Sequence, residues 1–387
     1  MQAPPRPLLM RAASDVAASL DLTPILRPSI IGLEPYDPAF KPTRVNLSAN
    51  ENTHALTPAA RSALDEALAA TPTNRYPDPL ANELRDKLAA WYGVERRNVI
   101  VGNGGDELLF NLFFAFGGAG HTLVNCPPSF SVYELYAQMC EMDVVDVWRD
   151  PDDFSLDLPA VVEAARTAAL TFITSPNNPT GNVVAADEVR AIAQASQGLV
   201  LVDEAYMEFA VGIPSCVELL SELPNVAVLR TFSKAFSLAG GRCGYVIAAP
   251  EVVDVLATVR QPYTVNVFTQ AAACAFVDAR AEFAPAIEEI VAERERLATA
   301  LAALDLSASG GPALTVWPSA ANFLLVRVTN AHVVRERLRD EYSILVRDFS
   351  SAPGLRDCLR ITVGTPEENE SVVAAFAALL AGMAGAR

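Results

Sequence analysis

Short hydrophobic runs alternate with amphipathic segments between about residue 98 and residue 249. The runs are rich in valine, leucine and isoleucine, which is typical of strands that are buried on both faces. They predict strands at Val99–Val101, His121–Asn125, Asp143–Trp148, Leu170–Thr174, Leu199–Asp203 and Val226–Thr231. Amphipathic stretches such as Ser131–Cys140 and Ala186–Ala195 predict helices between several of these strands. The alternation predicts an α/β fold with a mostly parallel sheet that is covered on both faces.

The pattern changes after Ala249, where one long amphipathic helix is predicted from Pro285 to Leu304. Short strands and helices then alternate to the C-terminus. The predicted elements are strands at Leu314–Trp317, Phe323–Val328, Ile344–Val346 and Leu359–Val363, with helices near Val333–Leu338 and from Glu367. This second region is expected to form a smaller α+β domain. The first ~45 residues are rich in proline and weakly periodic, which favours an arm that packs on a surface.

Composition and charge argue against several classes of partner. A formal net charge of -17 is wrong for binding nucleic acid or an anionic membrane, because both need a basic surface. The apolar stretches are too short or too interrupted to span a bilayer, and no secretory signal is evident, so a cytoplasmic location is expected. The six cysteines lack a C-x-x-C pair, and the three histidines lie far apart. Reduced cysteines and the absence of a metal site are therefore expected.

Candidate chemistry lies where the predicted parallel strands end, which is the edge at which open α/β sheets bind ligands. Asp203 ends one strand and is followed three residues later by Tyr206. An aspartate there could simply cap a turn. It could also hold a pyridinium nitrogen protonated and so make the ring an electron sink, with Tyr206 reaching the ring's phenolic oxygen.

The next strand leads into Ser233 and Lys234, and Arg242 follows among glycines. A lysine at this place is usually a solvated loop residue. However, Ser233 and Arg242 offer a hydroxyl and a guanidinium that suit a phosphate. A lysine near that cation in a partly dry site would have a lowered pKa, as Schiff-base chemistry requires.

Three further features point to the same edge, although each also has an ordinary structural explanation. Asn178 lies in a turn, Ser175–Gly181, directly after a predicted strand. Gly105 and Asp106 begin a predicted helix, where free backbone N–H groups favour an anion. Phe130 follows a proline-rich turn and could belong to the core or stack on a ring.

Taken in order, these motifs resemble the fold-type I aminotransferases of the aspartate aminotransferase superfamily, from about Leu33 to the C-terminus. The segments Val202–Phe209, Phe232–Gly240 and Arg242–Tyr245 are similar in particular to histidinol-phosphate aminotransferases, as are Ile344–Asp348 and Cys358–Gly364. The resemblance implies a pyridoxal 5'-phosphate (PLP) enzyme with a large domain, residues 48–275, built on a mostly parallel seven-stranded sheet. A small domain would span 276–387, and an arm, 1–47, would pack on the small domain or on a partner subunit.

The resemblance also implies a role for each matching residue. Lys234 would bond the cofactor as a Schiff base and then move the proton between the substrate and the cofactor. Asp203 would pair with the pyridine nitrogen, and Phe130 would stack on the ring. The remaining cofactor contacts would come from Asn178 and Tyr206 at the ring oxygen, and from Gly105, Asp106, Ser233 and Arg242 at the phosphate.

Four more matches concern the substrate and a second subunit. Tyr76 matches a tyrosine that reaches the phosphate in the neighbouring subunit, which implies a homodimer with shared sites. Arg360 matches the arginine that binds the substrate's anionic group, and Arg347 matches a second arginine offered to a substrate phosphate. Tyr36 matches a residue that helps to close the site. An ion pair at a strand end remains the alternative for Arg347 and Arg360.

Two departures from the family pattern bear on specificity. Phe130 stands where the family often has tyrosine, and Thr53-His54-Ala55 replaces a proline followed by an aromatic residue.

The expected reaction is transfer of an amino group between L-histidinol phosphate and 2-oxoglutarate. The alternatives are an aromatic amino-acid aminotransferase and a threonine-phosphate decarboxylase on the same scaffold. A PLP-binding transcription regulator is disfavoured, because the chain leaves no room for an N-terminal DNA-binding domain.

Overall fold

The computed structural model describes residues 21–33, 41–307 and 311–385. The proximity of Cα atoms divides the chain into two units, residues 1–38 and 39–387. In the first unit, the described residues contain two short 3-10 turns, Thr23–Ile25 and Pro28–Ile30. The second unit contains all of the strands and α-helices given below. The boundaries predicted at residues 47 and 275 stay a prediction.

Seven strands form the larger sheet, in the spatial order β2-β8-β7-β6-β5-β3-β4. Only β8 runs antiparallel to its two neighbours, so the prediction of a mostly parallel α/β sheet is confirmed. The strands are β2 (Val99–Gly102), β3 (Thr122–Asn125), β4 (Asp143–Asp146), β5 (Leu170–Thr174), β6 (Leu199–Asp203), β7 (Val226–Thr231) and β8 (Gly244–Ala248).

Both faces of this sheet are covered, because successive side chains of a strand point to opposite sides. On β6, Leu201 packs in a cluster with Leu112 and Phe113, whereas Val200 packs in another cluster with Val161 and Ile192. The helices in this part of the chain are α1 (Pro58–Ala69), α2 (Asn82–Tyr92), α3 (Gly105–Phe116), α4 (Val132–Met139), α5 (Leu158–Ala165), α6 (Ala186–Ala195), α7 (Pro250–Val259) and α8 (Val267–Asp278).

Several helices begin where the sequence supplies a cap. Thr57 accepts a hydrogen bond from the Ala60 N–H at the start of α1, and Asp157 accepts one from the Ala160 N–H at the start of α5. Proline occupies an early position of both helices, where its missing N–H is not needed. These local signals fix where the two helices start.

Five strands form the second sheet, in the order β1-β11-β12-β10-β9. The last residues of the predicted arm form β1, which runs parallel to β11, and the other pairs are antiparallel. The strands are β1 (Val45–Leu47), β9 (Leu314–Val316), β10 (Phe323–Val328), β11 (Ile344–Asp348) and β12 (Cys358–Thr362), and the helices are α9 (Ala284–Ala302), α10 (Ala331–Tyr342) and α11 (Pro366–Gly385). None of the described helices has the length and apolar content that crossing a membrane requires.

Candidate active site

The carboxyl ends of β5, β6 and β7 bring the predicted residues to one edge of the larger sheet. Thr174 and Asp203 are Cα partners at the ends of β5 and β6. The Asp203 carboxylate is buried, and it accepts hydrogen bonds from the Tyr133 hydroxyl at 2.7 Å and from the Ala205 N–H at 3.1 Å. Burial is the largest influence on this carboxyl, and it raises the pKa of Asp203 to about 6. A carboxyl with this pKa is mostly ionised at pH 7, and a nearby positive charge would lower the pKa further.

Tyr206 lies beside two amide donors. Its hydroxyl oxygen is 3.0 Å from Asn50 Nδ2 and 3.4 Å from Asn178 Nδ2. Because both amides can point hydrogens at this oxygen, the hydroxyl's own proton remains available to another acceptor. Burial raises the pKa of Tyr206, so the hydroxyl stays protonated near neutral pH. Tyr206 and Asn178 thus form the hydrogen-bonding group that was predicted for the ring oxygen, with Asn50 added to it.

Lys234 follows β7 and is partly buried. Its Nζ donates to the Ala49 carbonyl oxygen at 2.8 Å and lies 5.9 Å from the centre of the Tyr206 ring. Burial, and next the positive charge of Arg360, lowers the pKa of Lys234 to about 8. A lysine with such a pKa is a better nucleophile and base near neutral pH than a solvated one.

A candidate anion site, called the anion cup, is formed by Gly105 and Asp106 at the N-terminus of α3 together with Ser233 and Arg242. The N-cap residue of α3, Gly104, provides no side-chain cap, so the N–H groups of the first turn, including those of Gly105 and Asp106, are available to an anion. Arg242 Nη1 lies 3.4 Å from Ser233 Oγ, and Arg242 Nη2 lies 2.9 Å from Asp106 Oδ2. A side chain at Gly104 would collide with the Arg242 guanidinium. The residues expected at a phosphate are therefore together, and glycine keeps the space between them open.

The two candidate substrate arginines lie directly opposite each other on neighbouring strands of the second sheet. Arg347 of β11 and Arg360 of β12 are Cα partners in an antiparallel pair, which places both side chains on one face. Arg360 donates to Asn178 Oδ1 at 2.5 Å and to the Ser48 carbonyl oxygen at 2.7 Å. Arg360 thus joins the second sheet to the group at Tyr206.

The three remaining predicted residues, Phe130, Tyr76 and Tyr36, lie in different surroundings. Phe130 is partly buried beside Tyr133, with the rings edge to face at 5.6 Å between centroids. Tyr76 is 81 % exposed and stacks on Tyr263 at 4.6 Å. Tyr36 lies outside the described residues. Phe130 therefore lies beside the tyrosine that contacts Asp203, and Tyr76 presents most of its surface to the outside of its own chain.

Two residues at this site, Tyr133 and Asn50, are not among the predicted site residues. Tyr133 lies three residues after Phe130, and its place in the amphipathic helix α4 is typical of a core residue. Asn50 has a positive φ of 56° and is fully enclosed, with Asn322 and Thr362 hydrogen-bonded to its polar groups. In the sequence, Asn50 lies three residues before Thr53-His54-Ala55, the segment that departs from the family pattern.

This arrangement fits PLP. The glycine-lined cup with a guanidinium and a hydroxyl suits its phosphate, the Asp203 carboxylate suits its ring nitrogen, and Lys234 is an amine of lowered pKa for its aldehyde. The mostly parallel sheet and this site define a fold-type I PLP-dependent enzyme.

The comparisons with known proteins agree. The model of the family described as aminotransferase class I and II matches residues 42–376, and the chain belongs to this family. The chain is 39 % identical over 372 residues to histidinol-phosphate aminotransferase of Roseiflexus castenholzii, covering 91 % of this chain and 97 % of that protein. It is 37 % identical over 362 residues to histidinol-phosphate aminotransferase of Parabacteroides distasonis, covering 92 % and 98 %.

A solved structure shows the same fold. The crystal structure of histidinol-phosphate aminotransferase from Sinorhizobium meliloti in complex with pyridoxal-5'-phosphate superimposes with a TM-score of 0.81 and 27 % identity, covering 93 % of this chain and 98 % of that one. The predictions of a fold-type I aminotransferase that uses PLP, and of a resemblance to histidinol-phosphate aminotransferases, are confirmed.

Proposed function

We propose that the protein transfers the amino group of L-histidinol phosphate to 2-oxoglutarate, giving imidazole acetol phosphate and L-glutamate in histidine biosynthesis. The observation that carries this proposal is the pair Arg347 and Arg360, opposite each other on one face of the second sheet. One site must accept a phosphate monoester in the first half-reaction and a dicarboxylate in the second. Two guanidinium groups suit both anions. The names of the relatives support the same substrate.

The chain's residues would hold PLP at four places. Gly105, Asp106, Ser233 and Arg242 would bind the phosphate, and Asp203 would face the ring nitrogen. Asn178 and Tyr206 would hydrogen-bond the ring oxygen, while Phe130 would cover the ring. When bound, PLP supplies an electron sink that accepts the electron pair of the substrate's broken Cα–H bond.

Lys234 would perform the proton transfer. Its Nζ would take the proton from the substrate Cα and deliver it to the cofactor carbon, because a neutral amine that is held in place can serve as a general base. The lowered pKa of this lysine, about 8, supports the role. Arg360 would both bind the substrate's anionic group and favour neutral Lys234 by charge repulsion.

The Arg360 contacts support a coupling between substrate binding and cofactor binding. Arg360 contacts Asn178, and Asn178 contacts Tyr206. The site proposed for the substrate anion and the site proposed for the ring oxygen therefore share one hydrogen-bond network. A substrate anion that binds Arg360 would therefore also affect Asn178, whose amide is proposed to hydrogen-bond the ring oxygen. The role of Arg347 at the substrate phosphate belongs to the same proposal.

We also propose a homodimer in which Tyr76 serves the phosphate site of the neighbouring subunit. Tyr76 is an aromatic residue with a hydrogen-bonding hydroxyl, and its 81 % exposure supports a function outside its own chain. Stacking on Tyr263 would limit the conformations of the ring before the subunits meet.

The visible absorption of the PLP-loaded protein tests the substrate. Addition of L-histidinol phosphate without a keto acid should convert the yellow band to a near-ultraviolet band, and 2-oxoglutarate should restore the yellow band. L-phenylalanine and O-phospho-L-threonine serve as matched comparison amines for the two alternative activities. A spectrum that responds to either comparison amine but not to L-histidinol phosphate would overturn the substrate and leave the cofactor in place.

A further inference from the structure

The Tyr133 hydroxyl contacts the carboxylate that is proposed to face the cofactor's ring nitrogen. Tyr133 Oη lies 2.7 Å from Asp203 Oδ2 and 2.9 Å from Thr174 Oγ1. All three residues are buried, with Tyr133 only 1 % exposed. The functional proposal above gives Tyr133 and Thr174 no role, so these contacts call for a separate explanation.

The direction of these hydrogen bonds follows from the chemistry of the groups. An ionised carboxylate can only accept, so Tyr133 must give its single O–H proton to Asp203. The Tyr133 oxygen then accepts the proton of the Thr174 hydroxyl. The series Thr174 to Tyr133 to Asp203 is therefore oriented towards a negative charge, and each bond in it polarises the next.

Burial works against that negative charge. Burial raises the pKa of Asp203, whereas the hydrogen bonds from Tyr133 and from the Ala205 N–H lower it. Each carboxylate oxygen has one of these donors, Tyr133 at Oδ2 and Ala205 N at Oδ1. The two donors also fix the plane of the carboxylate, because a rotation of the side chain would break both bonds.

We propose that Tyr133 is a positioning residue that orients the Asp203 carboxylate and keeps it ionised towards the cofactor's ring nitrogen, with Thr174 as the donor that supports Tyr133. This inference rests on the proposed pairing of Asp203 with that nitrogen. Tyr133 follows Phe130 by three residues, and the two rings pack edge to face. One short segment thus supports the ring nitrogen and covers the ring.

The holoenzyme, reconstituted with PLP that carries ¹⁵N in its ring, provides the test. The ¹⁵N resonance reports whether the ring nitrogen holds the proton that it shares with Asp203. In Tyr133→Phe the carboxylate loses a charge-assisted hydrogen bond, so the proton should move towards Asp203. The ratio of protonated to neutral nitrogen should fall on the order of 10- to 100-fold, and PLP affinity should fall in the same direction.

Two further variants distinguish this role from simple packing. Tyr136→Phe makes the same change one turn later in α4, where the ring packs edge to face on Phe110 and Phe113, and it should leave the resonance unchanged. Thr174→Val removes the donor to Tyr133 while keeping the side-chain shape, and it should shift the resonance in the same direction by a smaller amount. A Tyr133→Phe enzyme whose melting temperature changes while its ¹⁵N resonance does not would overturn the inference.

Asp203→Asn separates failure of this inference from failure of the proposed function. If Asp203→Asn moves the resonance to that of a neutral ring nitrogen and Tyr133→Phe does not move it, Tyr133 has no positioning role and the Asp203 proposal stands. If Asp203→Asn leaves the nitrogen protonated, Asp203 does not face that nitrogen, and both proposals are wrong.

Discussion

At the scale of single residues, the pKa of Lys234 determines how much of this lysine is neutral and able to accept a proton near neutral pH. An ordinary lysine is almost wholly charged at neutral pH, but a pKa of about 8 leaves roughly a tenth of the side chains neutral near pH 7. Burial makes the largest contribution, and the charge of Arg360 adds to it, whereas Glu51 and Asp106 act in the opposite direction. The residues that prepare the lysine are thus partly those expected to bind the substrate.

The pH dependence of cofactor capture tests this arrangement. Only neutral Lys234 can attack the PLP aldehyde, so the rate at which apoenzyme gains the yellow band should rise with pH and level off above about pH 8. Arg360→Gln should move the inflection to higher pH because it removes a repelling charge. Glu51→Gln should move it to lower pH because it removes an attracting one. Inflections near 10 in all three proteins would contradict the assigned environment of Lys234.

At the scale of elements, the anion cup depends on a close approach of β8 to the start of α3. A Cβ atom at Gly244 would lie 2.7 Å from the Gly105 nitrogen and 2.8 Å from the Gly104 carbonyl carbon. Both of those atoms belong to backbone, which cannot rotate out of the way as a flexible side chain can. Gly244 therefore allows β8 to hold Arg242 beside the first turn of α3.

Substitution of this glycine should weaken PLP binding. Gly244→Ala should push β8 away from α3, and overpacking of this kind costs about 1–3 kcal/mol of folding stability. Because Arg242 directly precedes this segment and should move with it, a weakened contact with the PLP phosphate should raise the PLP dissociation constant on the order of tenfold. Gly240→Ala is the matched control, since nothing lies within 4 Å of a Cβ atom at that position. Titration of both apoenzymes with PLP measures the difference. Equal affinities would show that the cup tolerates displacement of β8.

The elements also show how far the sequence could predict this structure. The predicted strands Leu170–Thr174, Leu199–Asp203 and Val226–Thr231 coincide with β5, β6 and β7, because short runs that are mainly apolar and β-branched carry a strong local signal. By contrast, β8 is not among the predicted strands, because it begins with a glycine and closely follows two others, a composition typical of loops. The strand β1 has only three residues, and its register depends on β11, almost 300 residues later in the chain.

The predicted residues of the site have positions set by the strands themselves, whereas the unpredicted residues have positions set by long-range packing. Asp203, Lys234 and Asn178 end or follow strands, so the geometry of a parallel sheet brings them together without further information. Tyr133 reaches Asp203 from a helix 70 residues earlier, and Asn50 reaches Tyr206 from 156 residues earlier. Local periodicity describes such residues as core or loop, and only tertiary packing shows which polar group they meet.

At the scale of the whole molecule, the proposed dimer divides each active site between two chains. Lys234, Asp203 and Arg242 belong to one subunit, and Tyr76 would come from the other. A tyrosine that is 81 % exposed contributes little to the stability of its own chain, so its loss should harm activity more than folding. The sequence alone could suggest this division only through its resemblance to a family.

Mixed dimers test the division directly. Lys234→Ala and Tyr76→Ala should each be nearly inactive as homodimers if every site needs both residues. In a mixed dimer, the Tyr76→Ala chain supplies Lys234 and the Lys234→Ala chain supplies Tyr76, so one of the two sites is intact.

Refolding the two variants together in equal amounts should therefore restore about a quarter of wild-type activity, because about half of the dimers are mixed and each of those has one working site. Tyr263→Phe in the Lys234→Ala chain is a useful control, since it keeps the aromatic ring on which Tyr76 stacks. Mixed dimers without any recovered activity would place Tyr76 and Lys234 in the same site of the same chain. Recovery near a quarter would establish that each working site takes its lysine from one subunit and its tyrosine from the other.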